Sequence, residues 1–160
     1  MSITDLSLPY GSWSPSLSAM TTNVPLPEWP TRTIAVLSTV NETPHSIPVS
    51  APLRAGDRRI LFSLHRGRDS LARLRERPDV ALTILAAGDT AFTARGRARI
   101  VEESMAAAPD YAAIAVEVEH VDDHRQPGFR VESGVDREWI DADEQRALGA
   151  RVRALTDVAR

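Results

Sequence analysis

Residues 59–85 read RILFSLHRGRDSLARLRERPDVALTIL, and the order of patterns within this run decides the fold. Residues 60–64 form an apolar strand pattern that passes into a basic turn at residues 66–70. A short helical pattern follows and ends at Pro78, which cannot continue a helix. Residues 80–85 are β-branched and apolar, as in a second strand. The run therefore predicts strand, turn, short helix and strand.

The helical part of this run has an apolar side and a basic side. Leu71 and Leu74 recur at helical spacing and are expected to face inward, with the arginines at 73, 75 and 77 facing water. Asp69 or Ser70 is the expected cap of its first turn.

Strand patterns continue on both sides of the run. Residues 33–40 suit a well-buried strand, and residues 46–53 suit an edge strand because Pro48 and Pro52 remove hydrogen-bond donors. A Gly-Asp turn at residues 87–89 leads into a return strand at residues 90–102. That strand has small and apolar residues on one face and Arg95, Arg97 and Arg99 on the other.

The C-terminal part predicts a short helix, two strands and a longer helix. Ser104 is expected to cap a short helix that ends near Pro109. Residues 114–121 and 129–135 read as strands, and residues 141–159 as an amphipathic helix. The fold class predicted is mainly β: a barrel of six or seven mostly antiparallel strands with an inserted short helix and a C-terminal helix.

Composition divides the chain and excludes several functions. Residues 1–31 form a Pro- and Ser-rich arm, expected to lie extended against the domain or a partner, and residues 32–160 form a single domain. A net charge of −3 gives no general attraction to nucleic acid, and no apolar run is long enough for a membrane span. Without a secretory leader pattern, the protein is expected to be cytoplasmic.

The residue types available limit the chemistry further. The chain has no cysteine, and all 19 of its basic residues are arginine, so thiolate and lysine chemistry are excluded. His120 and His124 would lie about 13 Å apart on a strand, which is too far to share a metal ion. No metal site is predicted, and no catalytic residue is identified.

The basic turn is the strongest candidate for a ligand site. Backbone amides at a helix start and the guanidiniums of Arg66 and Arg68 together favour a phosphate or another anion. A solvated turn with surface arginines is the alternative that these residues leave open.

Two motifs and the order of elements resemble the FMN-binding split-barrel superfamily, the pyridoxamine-phosphate-oxidase-like proteins. The first is the strand and turn of residues 60–70 followed by Leu-Arg-Glu-Arg-Pro-Asp-Val at residues 74–80. The second is Gly-Arg-Ala-Arg-Ile-Val-Glu at residues 96–102. The similarity covers residues 31–135.

The resemblance implies a homodimer that holds flavin mononucleotide (FMN) in a groove between subunits. Its implied function is a flavin-dependent oxidoreductase acting on a small organic substrate, in which the cofactor's ring carries the hydride. The implied phosphate contacts fall on Arg68, Asp69 and Ser70, with Arg66 as a further candidate. The implied ring contacts fall on the strand positions Val49, Ser50, Ala51, Ser63, Leu64 and His65.

Other functions remain open at this point. The same fold is compatible with a non-catalytic module that binds or stores flavin, a deazaflavin or heme. It is also compatible with a cofactor-free dimeric interaction protein that uses the tryptophan-bearing arm.

Overall fold

The computed structural model describes residues 24–160 and shows seven strands and two helices. In chain order these are β1 Ile34–Val40, β2 Pro44–Ser50, β3 Leu53–Arg54, β4 Arg59–His65, α1 Asp69–Glu76, β5 Asp79–Ala86, β6 Thr90–Glu102, β7 Tyr111–Asp123 and α2 Ala142–Val158.

The strands form one antiparallel sheet in the order β2-β1-β5-β6-β7-β4-β3. The sheet curls, so that β2 at one end contacts β4 near the other end without hydrogen-bonding to it. We call this gap between β2 and β4 the split. The predicted mainly β split barrel with an inserted and a C-terminal helix is confirmed.

The interior of the barrel is a continuous apolar core. Every strand except the short β3 contributes to it, and α1 contributes Leu71 and Leu74, as predicted. Burying such side chains stabilises each by about 1.5–3 kcal/mol relative to exposure. The helix is thereby fixed beside the split.

The outer face of the sheet carries a second, smaller apolar cluster under α2. Leu155 of α2 packs there with four buried residues of the sheet and its loops: Leu61, Met105, Ala113 and Ala115. Asp141 caps the helix by accepting hydrogen bonds from the backbone amides of Asp143 and Glu144. The amphipathic pattern thus places α2 across β4 and β3.

Residues 24–30 have no regular secondary structure and pack against the domain. Leu26 is buried, and its amide donates to the carbonyl of Asp57. The indole Nε1 of Trp29 donates to the carbonyl of Pro52 at 2.9 Å, and its ring packs against Phe92. The prediction for residues 1–23 of the arm lies outside the described residues.

The start of α1 differs from the prediction. Its N-cap is Arg68, in extended conformation and without a side-chain cap, because Asp69 already lies in the first turn and pairs with Arg73. The end of α1 agrees with the prediction. Arg77 is extended before Pro78, whose ring disfavours helical backbone in the preceding residue.

Two of the other predicted elements are wrong. Ser104 does not start a helix. Its hydroxyl donates to the carbonyl of Pro109, and Met105 and Ala108 form a bridge that closes a turn between β6 and β7.

Residues 129–135 do not form a strand. The Asp89 carboxylate accepts from the amide of Val131, and the amide of Asp89 donates to the carbonyl of Val131. Because these bonds tie the segment to a hairpin tip, it follows the barrel without joining a strand ladder.

Candidate functional site

A cavity of about 170 Å³ lies in the split. Its walls come from β2, β4, the turn after β4, the first residue of β7 and the helix α2. The lining residues are Ile47, Pro48, Val49, Ser50, Ser63, Leu64, His65, Arg68, Tyr111, Leu148 and Arg151. The lining holds two guanidiniums, two serine hydroxyls and no carboxylate.

The structure brings six of the ten sequence-predicted site residues together in this cavity: Val49, Ser50, Ser63, Leu64, His65 and Arg68. The curl of the sheet causes this, because β2 and β4 are distant in sheet order and meet only across the split. Ala51, Arg66, Asp69 and Ser70 do not line it.

The turn between β4 and α1 orders His65. The Nδ1 atom of its ring accepts a hydrogen bond from the amide of Gly67 at 3.1 Å. A neutral ring that accepts at Nδ1 carries its proton on Nε2, so Nε2 is a hydrogen-bond donor. The ring also meets Tyr111 edge-on, with centroids 5.3 Å apart.

Arg66 points away from the cavity. Its amide donates to the carbonyl of Asp110, and its guanidinium donates to the carbonyl of Pro109 at 3.4 Å. The turn is therefore anchored to the loop before β7, and Arg68 is its cavity-lining arginine.

Asp69 and Ser70 have protein partners. The Arg73 guanidinium donates to the Asp69 carboxylate at 2.8 Å, which lowers the pKa of that carboxyl. Ser70 is 1% exposed, and its Oγ lies 3.2 Å from Nε2 of His45. The contact with His45 holds Ser70 toward β2, and the contact with Arg73 holds Asp69 on the exposed face of α1.

Ala51 lies at a bend next to the cavity. Its φ of 52° is in the left-handed region, which costs a non-glycine residue about 1 kcal/mol or more. It lines a neighbouring cavity of about 340 Å³ together with Arg32, Arg137 and Trp139. The Arg137 guanidinium donates to Oγ of Ser50 at 3.1 Å. Burial and the nearby charge of Arg32 lower the pKa of Arg137.

The sequence prediction missed five lining residues: Ile47, Pro48, Tyr111, Leu148 and Arg151. Tyr111 is the first residue of β7. It lies three residues before residue 114, where alternation predicted that this strand begins. The signal for Arg151 was present, since a charged residue stands between Leu148 and Leu155 on the apolar stripe of α2. A cation in such a stripe is either buried or extends to solvent.

The arginine face of β6 is not part of the site. Arg95 pairs with Asp122 at 2.6 Å, Arg97 with Asp79 at 3.3 Å and Arg99 with Glu117 at 3.8 Å. These exposed pairs are worth about 0–1 kcal/mol each. Carboxylates of the neighbouring strands thus balance the positive charges of these three arginines.

A larger cavity of about 690 Å³ lies at the tip of the β5–β6 hairpin. Its lining includes one guanidinium, from Arg125, and four carboxylates: Glu28, Asp89, Asp122 and Asp123. Such a lining repels a phosphate, so its greater volume does not make it the better anion site.

The two histidines near the end of β7 have different neighbours. His120 lies opposite Arg95 in the β6–β7 ladder, and Nε2 of His124 lies 2.8 Å from Oγ1 of Thr93. Within residues 24–160, no cluster of three or more His, Asp or Glu side chains is arranged to hold a metal.

The sequence model of the pyridoxamine 5'-phosphate oxidase family matches residues 27–132, two thirds of the chain and all seven strands. The chain belongs to the pyridoxamine 5'-phosphate oxidase family. The resemblance inferred from residues 59–85 and 96–102 is thereby confirmed. Helix α2 lies outside the matched region.

Two solved structures share the fold with this chain at low sequence identity. A candidate pyridoxamine 5'-phosphate oxidase from Lactobacillus delbrueckii is 17% identical, with 64% of this chain and 96% of that chain covered and a TM-score of 0.53. An F420 reductase is also 17% identical, with 62% and 100% covered and a TM-score of 0.52. No curated protein matches the chain.

The cavity's chemistry agrees with a phosphorylated, partly apolar ligand. The guanidiniums can donate to phosphate oxygens, and the hydroxyls of Ser50 and Ser63 can donate to polar edges of a ring. Val49, Leu64 and Leu148 supply apolar walls.

Among residues 24–160, no helix is long and apolar enough to cross a membrane.

Proposed function

We propose that this protein is a flavin-dependent oxidoreductase that holds FMN in the split and acts on a small organic substrate. The observation that carries the proposal is the cavity itself, where strand and turn residues within the matched region lie around Arg68 in a lining without carboxylates. A bound anion meets two guanidiniums there, and no carboxylate lines the cavity.

The cavity residues have separate tasks in this proposal. Arg68 donates to the cofactor phosphate from the position before α1, where free backbone amides also favour an anion. Val49 and Leu64 hold the flavin ring and exclude water, while Ser50, Ser63 and Nε2 of His65 donate hydrogen bonds to its polar atoms. The flavin ring supplies the hydride chemistry, and the protein binds and orients it.

The roles implied for Ala51, Arg66, Asp69 and Ser70 stay predictions. Of the four, Asp69 is the least suited to a phosphate, because its side chain is a carboxylate that pairs with Arg73. Arg66 is exposed and can reach a ligand only by leaving the carbonyl of Pro109. The division into an arm of residues 1–31 and a domain of residues 32–160, and the cytoplasmic location, also stay predictions.

A homodimer is part of the proposal. A cavity of about 170 Å³ is below the range of roughly 300–1,000 Å³ typical of complete small-molecule sites, so one chain encloses only part of a flavin. The segment before α2 exposes apolar side chains that a second subunit can cover: Phe129, Val135 and Ile140, the last 98% exposed. Light scattering of the purified protein tests this.

The visible spectrum of the purified protein tests the cofactor. We expect flavin absorption, or its appearance when micromolar FMN is added, and mass analysis of the released molecule should return FMN. Protein that shows no flavin absorption and binds none at micromolar concentration would overturn the proposal.

Four alternatives are separable by experiment. Release of a deazaflavin would instead favour the chemistry named for the F420 reductase that shares the fold, and a Soret band would indicate heme. Bound flavin that neither nicotinamide cofactors nor a reduced deazaflavin can reduce would indicate storage. A cofactor-free interaction protein would lose partner binding when residues 1–30 are deleted.

A further inference from the structure

Arg151 is a cation buried in an apolar part of the protein. It is 8% exposed and lies on α2, one turn from Leu148 and from the fully buried Leu155. Transfer of a charged group out of water is unfavourable unless the group is paired and hydrogen-bonded. The position of Arg151 therefore requires a compensating interaction.

The protein supplies only part of that interaction. The guanidinium carbon lies 3.9 Å from the centroid of the Tyr111 ring, a cation–π contact. The Nε atom is buried and has no hydrogen-bond partner. Within residues 24–160, no carboxylate forms an ion pair with Arg151, whereas ten other arginines there do.

Arg151 shares the cavity in the split with a second cation. Arg151 and Tyr111 line that cavity together with Arg68, which approaches from the turn before α1. Two guanidiniums from separate elements thus meet one cavity that no carboxylate lines. A phosphate carries enough oxygens to accept from both, and charge-assisted bonds of this kind are among the strongest in proteins.

We propose that Arg151 is a phosphate-binding residue, which together with Arg68 binds a phosphate monoester in the split. The inference rests on the proposed function in one respect, since FMN is the phosphate monoester it names. The alternative source of the same chemistry is a phosphorylated substrate or free phosphate that binds without flavin. In either case helix α2, which lies outside the family's matched region, contributes a ligand-binding residue.

Titrations of FMN and riboflavin against Arg151→Met test this assignment. Methionine keeps the apolar stem and removes the charge, and Arg153→Met on the exposed side of α2 is the matched control. We expect Arg151→Met to weaken FMN binding by about ten- to a hundred-fold. Riboflavin binding should stay within threefold of wild type, and Arg153→Met should change neither.

A second measurement separates binding from a structural role. Removing an unpaired buried cation should leave the melting temperature without anions equal or higher. Inorganic phosphate should raise the melting temperature of wild type and Arg153→Met but not of Arg151→Met. Arg151→Lys keeps the charge and should retain part of the stabilisation by phosphate. It replaces Arg151→Met in this measurement if the methionine variant does not fold.

The outcomes distinguish this inference from the proposed function. If FMN binds and Arg151→Met leaves its affinity unchanged, or weakens FMN and riboflavin equally, the phosphate role is refuted while the flavoprotein stands. If no flavin binds but phosphate stabilises wild type and not Arg151→Met, the flavin proposal fails and the phosphate site stands. Equal phosphate effects on both proteins, or none, refute the site in that case.

Discussion

Nε2 of His45 lies 3.2 Å from Oγ of Ser70, and this contact joins the edge strand β2 to the first turn of α1 beside the split. Ser70 is fully buried, so His45 is its polar partner in an otherwise apolar setting. The backbone carbonyl of Thr43 reinforces the same junction by accepting from the Arg73 guanidinium at 3.0 Å. Ser70, for which the resemblance implied a phosphate contact, thus has a structural partner.

Ser70→Ala should therefore lower stability more than cofactor affinity. Loss of the hydrogen bond is expected to cost about 0.5–1.5 kcal/mol in the free energy of unfolding. Chemical denaturation measures this cost, and FMN titration should show less than a threefold change. A tenfold loss of FMN affinity would instead assign the hydroxyl to the phosphate.

Arg68→Ala should weaken FMN binding far more than riboflavin binding. A charged hydrogen bond is worth about 1.5–3 kcal/mol, which corresponds to roughly a ten- to hundred-fold change in affinity. Fluorescence titration of both flavins measures the difference. Arg77→Ala, an exposed arginine at the end of the same helix, is the control; equal losses for FMN and riboflavin would argue against a phosphate contact.

Gly96→Ala should destabilise the barrel. A Cβ at this position would lie 2.0 Å from the carbonyl oxygen of Glu117 in the neighbouring strand. Backbone must then shift at the irregularity between β6 and β7, which we expect to cost about 1–3 kcal/mol. Thermal and urea denaturation measure the effect.

Gly149→Ala provides the opposite control for this variant. Gly149 lies inside α2, and its nearest contact would be 3.4 Å away at the flexible end of Arg153. Alanine in a helix interior is favoured over glycine by about 0.5–1 kcal/mol, so this variant should be more stable than wild type. Equal effects of the two substitutions would contradict the packing argument.

Asp123 should titrate well below other aspartates. Hydrogen bonds from the side chain and backbone of Arg125 lower its pKa from 3.8 to about 2. A lowered pKa means that the stabilising contribution is present above about pH 4 and is lost as the pH falls toward 2. The effect on stability should be small because both side chains are largely exposed.

NMR titration of the side-chain carboxyl carbon tests this value directly. In Arg125→Gln the pKa of Asp123 should move back toward 3.8, whereas Arg146→Gln in α2 should leave it unchanged. An Asp123 pKa near 3.8 in wild type would show that the pair with Arg125 does not form in solution.

Local patterns made most of the fold predictable. Residues 90–102 alternate small or apolar residues with arginines, and β6 has those bounds. Pro48 limits β2 to one hydrogen-bonded neighbour, and β2 lies at the sheet edge. The prediction at residues 104–109 was wrong because local bonds, such as that from Ser104 to Pro109, close a turn there. The prediction at residues 129–135 was wrong because a contact distant in sequence, the bond between Asp89 and Val131, controls that segment.

The candidate site was only partly predictable for the same reason. The basic turn at residues 66–70 contains four polar side chains, and the sequence does not say which of them reaches the cavity. Partners from elsewhere decide it: Pro109 for Arg66, Arg73 for Asp69 and His45 for Ser70.

The strand-turn-helix-strand unit, the edge position of the proline-bearing strand and the family were readable from the sequence. They depend on short-range periodicity and on backbone restrictions of single residues. Tertiary structure alone decided that β2 meets β4 across the split and that α2 places Arg151 against Tyr111 in the same cavity. Sheet curvature and helix docking result from burial of apolar surface over the whole chain, and no local pattern encodes which polar side chains they bring together.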